Sequence, residues 1–391
     1  MARILIFTGK GGVGKTSVAA AHARLSAQEG KRTLLVSTDM AHNLGDLFQM
    51  PVGHTPVTVA ERLDALEIDP NRAMAHDFPD IRRAMENLLG SIGLPDQTAW
   101  DLNAFPGMDE LFSLLKLLEL HEGGEYERII VDCAPTGETL ALLKFPELLS
   151  WYMEKFFPVG KVAMRVLSPI SRTVFKVELP DKHAMTDIER MYLRLSQLQQ
   201  LLKDRATTSI RLVAMPEKMV VEETKRNYMY MNLYDYQVDG LYINRILPAD
   251  MDNPFFTAWL GIQQHYLDEL EAVFCGMPIH RIPWFDCDLN GLAGIDRLVD
   301  AALAGKDVFR IPEAFHGERY EQTETGWRVS LFLPGASKEA VALHETGTDL
   351  VVRIGNFKRS IPLPGALRHH RAVRARMEDA HLLIDLEKAT G

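Results

Sequence analysis

Cysteine is scarce in this sequence. The 391 residues include three cysteines, Cys133, Cys275 and Cys287, and no two of them form a C-x-x-C pair. This pattern argues against a disulfide-stabilised scaffold and gives no sign of a zinc or iron–sulfur site within one chain. We therefore expect neither kind of metal site.

Long apolar runs and an excess of positive charge are also missing. No run reaches the ~18 residues of a membrane span, and the apolar run near the N-terminus is too short for a signal peptide. Forty-three basic and fifty-three acidic residues give a net charge of −10, which implies no general affinity for nucleic acid or anionic lipid. We expect a cytoplasmic protein with no nucleic-acid partner and at most transient membrane contact.

A glycine-rich loop follows the apolar run at residues 4–7. Its sequence is Gly9-Lys10-Gly11-Gly12-Val13-Gly14-Lys15-Thr16, with Ser17 next. Glycines let successive N–H groups turn towards phosphate oxygens, and a helix beginning near Thr16 adds its positive end. Lys15 would neutralise the β/γ-phosphates, and the Thr16 hydroxyl would ligate Mg²⁺. The alternative is a glycine-rich turn that binds no ligand.

Two aspartates follow further predicted strands. Asp39 comes after the second strand, at the sheet edge where open α/β folds bind ligands, so it could orient or deprotonate the attacking water. Asp132 ends a buried strand and would hold Mg²⁺ through water. The Pro135-Thr136-Gly137 segment that follows could report whether the γ-phosphate is present. A simple helix cap is the alternative for Asp39.

The wider pattern predicts an α/β fold. Runs with β character alternate with helical stretches, which is typical of a mostly parallel sheet covered by helices on both faces. These runs are Ile4 to Thr8, Thr33 to Ser37, Arg128 to Asp132, Ser209 to Met215 and Val238 to Asn244.

The length of the chain and the change in residue pattern along it predict more than one domain. Apolar residues at helical spacing predict helical insertions at about 71–121 and 146–204 within a P-loop NTPase domain over residues 1–305. Past Lys306 the sequence becomes rich in short β-like segments separated by Pro-Gly and Gly-Asn turns. A small all-β sandwich at 317–391 is therefore expected.

Three segments together resemble the arsenical-pump (ArsA) and tail-anchored-protein-targeting ATPases, namely Gly9 to Thr16, Ser37 to Asp46 and Asp132 to Gly137. The resemblance covers residues 1–304. Further segments that resemble the family are Phe105 to Glu110, Met215 to Glu217, Asn244 to Leu247 and Ile282 to Trp284.

The resemblance implies ATP and Mg²⁺ as cofactors and a homodimer whose subunits face each other across the nucleotides. Lys10 would then reach the partner's phosphates as a catalytic group beside Asp39, and a monomer would hydrolyse ATP poorly. Glu217 would also reach across the dimer, or it simply opens a helix. Asn244 would contact adenine, or it is a turn residue, and Pro283 would lie in the loop over the base.

Magnesium would be held by Thr16 directly and by the two aspartates through water. The implied nucleotide-binding set is Gly9, Lys10, Gly11, Gly12, Val13, Gly14, Lys15, Thr16, Ser17, Glu217, Asn244 and Pro283. The implied switch set is Asp39, Asp132, Pro135, Thr136 and Gly137.

Departures from the family bear on function. The targeting factors commonly bind zinc through a C-x-x-C pair, and the arsenite pumps use three cysteines and a duplicated ATPase. This chain has one phosphate loop and neither cysteine set, so arsenite pumping is not expected.

Methionine and aromatic residues are frequent in the predicted insertions and would suit an adaptable groove for a hydrophobic client helix. Ordinary core packing is the equal alternative. The residues are Met74, Met85, Met108, Met153, Met164, Met185, Met191, Trp151, Tyr152, Phe156 and Phe157.

Four segments resemble the α-crystallin domain of small heat-shock proteins. They are Trp327 to Gly335, Leu350 to Ile354, Ile361 to Pro364 and Ala380 to Leu386.

From the two resemblances together we expect an ATP-hydrolysing homodimeric switch that delivers or protects hydrophobic, tail-anchored-like client segments. The alternatives are an ATP-independent holdase-type chaperone and a positioning ATPase of the partitioning type.

Overall fold

The computed structural model describes residues 2–39, 43–83, 108–133, 182–249, 253–311, 317–346, 349–367 and 369–388. The predicted switch residues Pro135, Thr136 and Gly137 lie outside these ranges. So do the groove residues Met85, Trp151, Tyr152, Met153, Phe156, Phe157 and Met164.

An eight-stranded, mostly parallel sheet forms the first part of the fold, as the sequence predicts. Its spatial order is β3-β4-β2-β5-β1-β6-β7-β8, with β3 and β4 antiparallel. The strands are β1 (Arg3–Thr8), β2 (Thr33–Ser37), β3 (Val57–Ala60), β4 (Leu63–Glu67), β5 (Arg128–Asp132), β6 (Thr208–Ala214), β7 (Val238–Ile246) and β8 (Ile279–Pro283).

The central strands are buried along their length because helices cover the sheet. Every residue of β2 and of β6 is buried, as expected for strands covered on both faces. The apolar run Leu34–Val36 of β2 follows this pattern, whereas β6 also buries the charged Arg211. The parallel pairs β2–β5 and β2–β4 place the carboxyl ends of three strands at one sheet edge.

The helices connect these strands. They are α1 (Lys15–Gln28), α2 (Asn43–Phe48), α3 (Pro70–Arg72), α4 (Met108–Gly123), α5 (Lys182–Lys203), α6 (Lys218–Leu233), α7 (Pro254–Val273) and α8 (Gly291–Leu298), with π-helical turns at Ala73–Asp77 and Val299–Leu303. In the described part of the chain, none of them has the length and hydrophobicity to cross a membrane.

The described parts of the predicted insertions are helical. Asp69 caps α3, since its carboxylate accepts the backbone N–H groups of Asn71 and Arg72. Met74 in the π-helical turn is buried, which fits core packing at that position. Met108 belongs to α4, and Met185 and Met191 belong to α5.

The C-terminal region is all-β, as predicted. Two antiparallel sheets have the orders β14-β15-β10-β9 and β11-β12-β13. Inward-facing apolar residues such as Val329, Leu350 and Ile384 are fully buried. The strands are β9 (Arg319–Gln322), β10 (Gly326–Phe332), β11 (Val341–Thr346), β12 (Asp349–Ile354), β13 (Phe357–Pro362), β14 (His370–Glu378) and β15 (His381–Lys388), with 3₁₀ turns at Lys338–Ala340 and Gly365–Leu367.

Contacts within the chain divide it into two compact units. One comprises Met1–Ile6, Ala19–Thr208 and Asn290–Asp296. The other comprises Phe7–Val18, Ser209–Leu289 and Arg297–Gly391, and so includes the glycine-rich loop, the strands β6 to β8 and the C-terminal sheets. The domain boundaries expected from the sequence stay a prediction.

Candidate nucleotide site

The glycine-rich loop connects β1 to α1 and is exposed at its tip. Gly12 and Gly14 have φ angles of 81° and 93°, which L side chains rarely adopt. The loop therefore needs glycine at both positions for its backbone to turn.

The other role of the glycines is spatial. A Cβ at Gly9 would lie 2.2 Å from the carbonyl oxygen of Val213, so this glycine lets the loop pack on β6. A Cβ at Gly11 or Gly12 would meet no atom within 4 Å. The loop thus packs closely on one side and leaves room on the other, which fits a cradle for an anion that backbone N–H groups bind.

Two lysines in the loop differ in their surroundings. Lys15 is buried, and its ammonium group donates to the carbonyl oxygen of Lys10 over 3.4 Å. The side chain of Lys10 is half-exposed, and its ammonium nitrogen lies 3.7 Å from the carboxylate of Glu223 on α6. A buried ammonium group that contacts a backbone carbonyl is favourably placed to bind a phosphate anion.

Asn244 on β7 supports the loop from below. Its side-chain amide donates to the carbonyl oxygen of Val13 over 2.9 Å, and its own oxygen accepts the N–H of Arg245 over 2.8 Å. A Cβ at Gly14 would lie 2.3 Å from the same amide nitrogen. The contact with adenine stays a prediction, and the observed contacts make Asn244 a support of the loop.

A cavity of about 270 Å³ lies in the same compact unit as the loop. Trp284, directly after β8, is exposed at this cavity, and its backbone N–H donates to the carbonyl oxygen of Ile246. The lining residues are Met215, Pro216, Glu217, Arg245, Leu247, Phe256, Trp259, Gln263 and Trp284.

Two predicted residues lie at this cavity or next to one of its lining residues. Glu217 is the N-cap of α6, but its side chain makes no capping hydrogen bond and instead lines the cavity. Pro283 is the last residue of β8, and its neighbour Trp284 is the residue that lines the cavity. Phe256 and Trp259 come from α7, and nothing in their helical spacing marked them in the sequence.

The two predicted carboxylates lie in the other compact unit, Asp132 as the last residue of β5 and Asp39 two residues after the end of the adjacent parallel strand β2. Ser37 at the end of β2 stands opposite Asp132 at the end of β5. The N–H of Thr38 donates to the backbone oxygen of Asp132 over 3.0 Å, and the N–H of Asp39 donates to the hydroxyl of Ser37 over 3.2 Å. Asp132 is buried and Asp39 half-buried. The hydrogen bond from Thr38 brings the backbones of the two segments together.

Each compact unit offers oxygen ligands of the kind that Mg²⁺ prefers over the softer ligands of zinc. One unit holds the buried carboxylate of Asp132, and the other holds the hydroxyl of Thr16. Within the described ranges, no group of three or more His, Cys, Asp or Glu side chains is arranged to hold a metal ion. Cys133 is buried, whereas Cys275 and Cys287 are exposed.

Comparison with known proteins identifies the family. Residues 2–303 match the Anion-transporting ATPase (ArsA ATPase) family, and residues 324–386 match the HSP20-like domain found in ArsA.

Three relatives illustrate the similarity, and two of them align with nearly the whole chain. A protein of Aquifex aeolicus, provisionally named arsenical pump-driving ATPase 1, is 33% identical over 98% of this chain and 99% of its own length. A protein of Chlorobaculum tepidum with a similar provisional name is 34% identical over 99% of this chain and 96% of its own. The ATPase ASNA1 homolog 1 of Paramecium tetraurelia is 30% identical over 77% of this chain and 92% of its own. The chain is therefore a member of the ArsA ATPase family that carries a C-terminal HSP20-like domain.

Proposed function

We propose that this ATPase is a homodimeric switch that binds hydrophobic client segments and delivers or protects them. The geometry of the glycine-rich loop, which packs against Val213 and Asn244 and stays open on its other side, carries the nucleotide-dependent part of the proposal. Membership of the ArsA ATPase family supports the dimer and the client.

The loop residues would bind the triphosphate. Backbone N–H groups of the open loop and the N-terminus of α1 attract phosphate oxygens. The buried ammonium group of Lys15 would exchange its contact with the Lys10 carbonyl for the β/γ-phosphates. Trp284 and Arg245 would hold the base in the aromatic-lined cavity, with Glu217 at its edge.

The aspartates would carry the hydrolytic step. Asp39 would orient the attacking water, and Asp132 would hold magnesium-bound water, while Thr16 would contribute its hydroxyl as a direct ligand. Bound Mg²⁺ would neutralise negative charge on the phosphate oxygens. The hydrogen bonds from the N–H of Thr38 to the backbone oxygen of Asp132 and from the N–H of Asp39 to the hydroxyl of Ser37 would help to position the two carboxylates where β2 and β5 end.

Lys10 would act on the nucleotide of the partner subunit. Its side chain is half-exposed and contacts a surface carboxylate, so it is free to extend into a dimer interface at small cost. There it would stabilise charge that develops on the transferred phosphoryl group, as an arginine finger does.

The fused HSP20-like domain favours a second candidate, an ATP-independent holdase. In that case the protein would suppress aggregation of unfolded proteins equally with and without nucleotide. The switch proposal requires the opposite, namely a client affinity that changes between the ATP and ADP states.

Two measurements test the proposal. ATP turnover should fall at least about a hundredfold in both Asp39→Asn and Lys10→Ala, and undiminished turnover in both would overturn the assignments. The client probe is a fluorescent helical peptide of about 20 Leu and Ala residues, compared with a polar peptide of equal length. Nucleotide-dependent binding of the apolar peptide alone supports the switch, and nucleotide-independent binding supports the holdase.

A further inference from the structure

Helix α6 contacts the phosphate loop with one half and the HSP20-like domain with the other. In its N-terminal half, the Glu223 carboxylate lies 3.7 Å from the ammonium group of Lys10. Residue 230 follows seven positions later, which is two helical turns and about 10 Å along the axis. Because residues spaced by seven share a helix face, Glu223 and Tyr230 lie on the same side of α6.

Aromatic contacts hold the HSP20-like domain against the C-terminal half of α6. The Tyr230 ring stacks on that of Phe357 in β13, with 3.5 Å between ring centroids. Tyr228 meets Phe332 of β10 edge to face, with centroids 6.1 Å apart. Both sheets of the domain therefore contact the same helix.

Polar contacts complete the attachment at the end of α6. The buried guanidinium group of Arg359 donates to the carbonyl oxygen of Leu233, the last helical residue, and pairs with Glu318, both at 2.6 Å. The hydroxyl of Tyr234 donates to the carbonyl oxygen of Lys358 over 3.1 Å. A cation at a helix C-terminus satisfies exposed carbonyl groups and complements the helix dipole.

We propose that α6 couples the HSP20-like domain to the ATPase reaction through Glu223, a positioning residue that holds Lys10 within its own subunit. The inference rests on the proposed action of Lys10 in the partner's site. In the free subunit the ion pair keeps the Lys10 side chain beside α6. The HSP20-like domain, by binding the far end of the helix, fixes Glu223 within reach of that lysine.

The strength of the contact suits a reversible role. Lys10 is about a third exposed and Glu223 about a quarter, so water screens their attraction and the pair opens readily. A shift of the HSP20-like domain, for instance on binding a client, would move α6 as a rigid element and alter the separation of the pair. Occupancy of that domain would then control how often Lys10 is released.

The test of the ion pair uses the whole 391-residue chain. Glu223→Gln should raise the ATP turnover number roughly two- to fivefold, with KM for ATP unchanged, because it releases Lys10 without touching the nucleotide cavity. It should also flatten the salt dependence of turnover. The matched control is Glu222→Gln, since Glu222 pairs with Lys225 at 2.7 Å and should leave turnover as in the wild type. Equal effects of the two substitutions, or lower turnover in Glu223→Gln, would overturn the proposal.

The test of domain coupling uses Phe357→Leu, which removes the ring stacked on Tyr230 and keeps an apolar side chain. Turnover should rise in the same direction as in Glu223→Gln, and the double variant should show no further rise. Tyr234→Phe, which loses one hydrogen bond, serves if Phe357→Leu fails to fold. The control is Val373→Thr on exposed β14. Multiplicative effects in the double variant would overturn the coupling.

Lys10→Ala distinguishes a failure of the proposed role of Lys10 from a failure of the proposed coupling alone. Turnover that survives in Lys10→Ala overturns the proposed role of Lys10 and the coupling with it. Turnover that is lost in Lys10→Ala but unchanged in Glu223→Gln overturns the coupling alone.

Discussion

The side-chain amide of Asn244 donates a hydrogen bond to the carbonyl oxygen of Val13, over a distance of 2.9 Å and a sequence separation of 231 residues. Both groups are buried, so loss of one leaves the other without compensation from water. The conformation of the phosphate loop therefore depends on Asn244, which is distant from the loop in the sequence.

Substitution of Asn244 should show whether its main role is loop support. Asn244→Ala should weaken ATP binding about fivefold to tenfold, because the Val13 carbonyl loses a buried partner. Inorganic tripolyphosphate has no base, and its affinity should fall by the same factor. Titration calorimetry with both ligands makes the comparison, and a loss confined to ATP would instead support the predicted contact with adenine.

The glycines of the loop provide a second prediction. Gly11→Ala should leave the thermal unfolding temperature unchanged, since the added Cβ meets no protein atom, but it should reduce ATP affinity at least tenfold by occupying the phosphate cradle. Gly9→Ala is the matched comparison. Its Cβ would overlap the Val213 carbonyl, so the unfolding temperature itself should fall. Unchanged ATP affinity in a stable Gly11→Ala protein would contradict the cradle.

A buried ion pair joins β6 to β7 behind the loop. Arg211 pairs with Asp239 at 3.2 Å, and both side chains are almost fully buried. Arg211→Met should cost about 3–5 kcal/mol of unfolding free energy, because it leaves the Asp239 carboxylate buried without its cation. The double variant Arg211→Met/Asp239→Asn should recover part of this loss in urea unfolding. A double variant less stable than Arg211→Met would contradict this explanation.

The change of the unfolding free energy with pH should depend in part on His280. Burial, with smaller contributions from Lys306 and Arg211, lowers the pKa of this imidazole to about 4. The unfolded chain binds a proton near pH 6.5 while the folded chain does not, so this stabilising contribution is complete above pH 6.5 and is lost as pH falls towards 4. Since the ring is partly exposed, we expect a loss of about 1–2 kcal/mol.

The control for this pH dependence is His280→Phe, which retains the stack on Tyr242 and cannot titrate. The unfolding free energy of the variant should decline less between pH 6.5 and 4 than that of the wild type. Identical slopes would contradict the assignment to His280.

The sequence predicts best where local pattern and tertiary burial agree. β2 and β5 have the bounds expected from their apolar runs, Thr33–Ser37 and Arg128–Asp132. The sequence pattern does not predict β4, because Leu63–Glu67 carries two acidic residues. Glu67 is buried and accepts the N–H groups of Leu44 and Gly45, a tertiary use that the local pattern does not show.

The residues of the candidate site also differ in how far the sequence predicts them. The glycine-rich loop is contiguous, so its residues are visible in the sequence. The cavity is assembled from the start of α6, the end of β7, helix α7 and the residue after β8, and only the fold brings these segments together. The contact between Lys10 and Glu223 likewise joins residues far apart in the chain and has no sequence signal.

Complementation between two inactive variants tests most directly whether Lys10 acts on the nucleotide of the partner subunit. Lys10→Ala and Asp39→Asn subunits are mixed in equal amounts, allowed to exchange, and assayed for ATP turnover. If Lys10 acts in the partner's site, each mixed dimer has one intact site, and random pairing should restore about a quarter of wild-type turnover. Turnover of the mixture no higher than that of either variant alone would contradict the account.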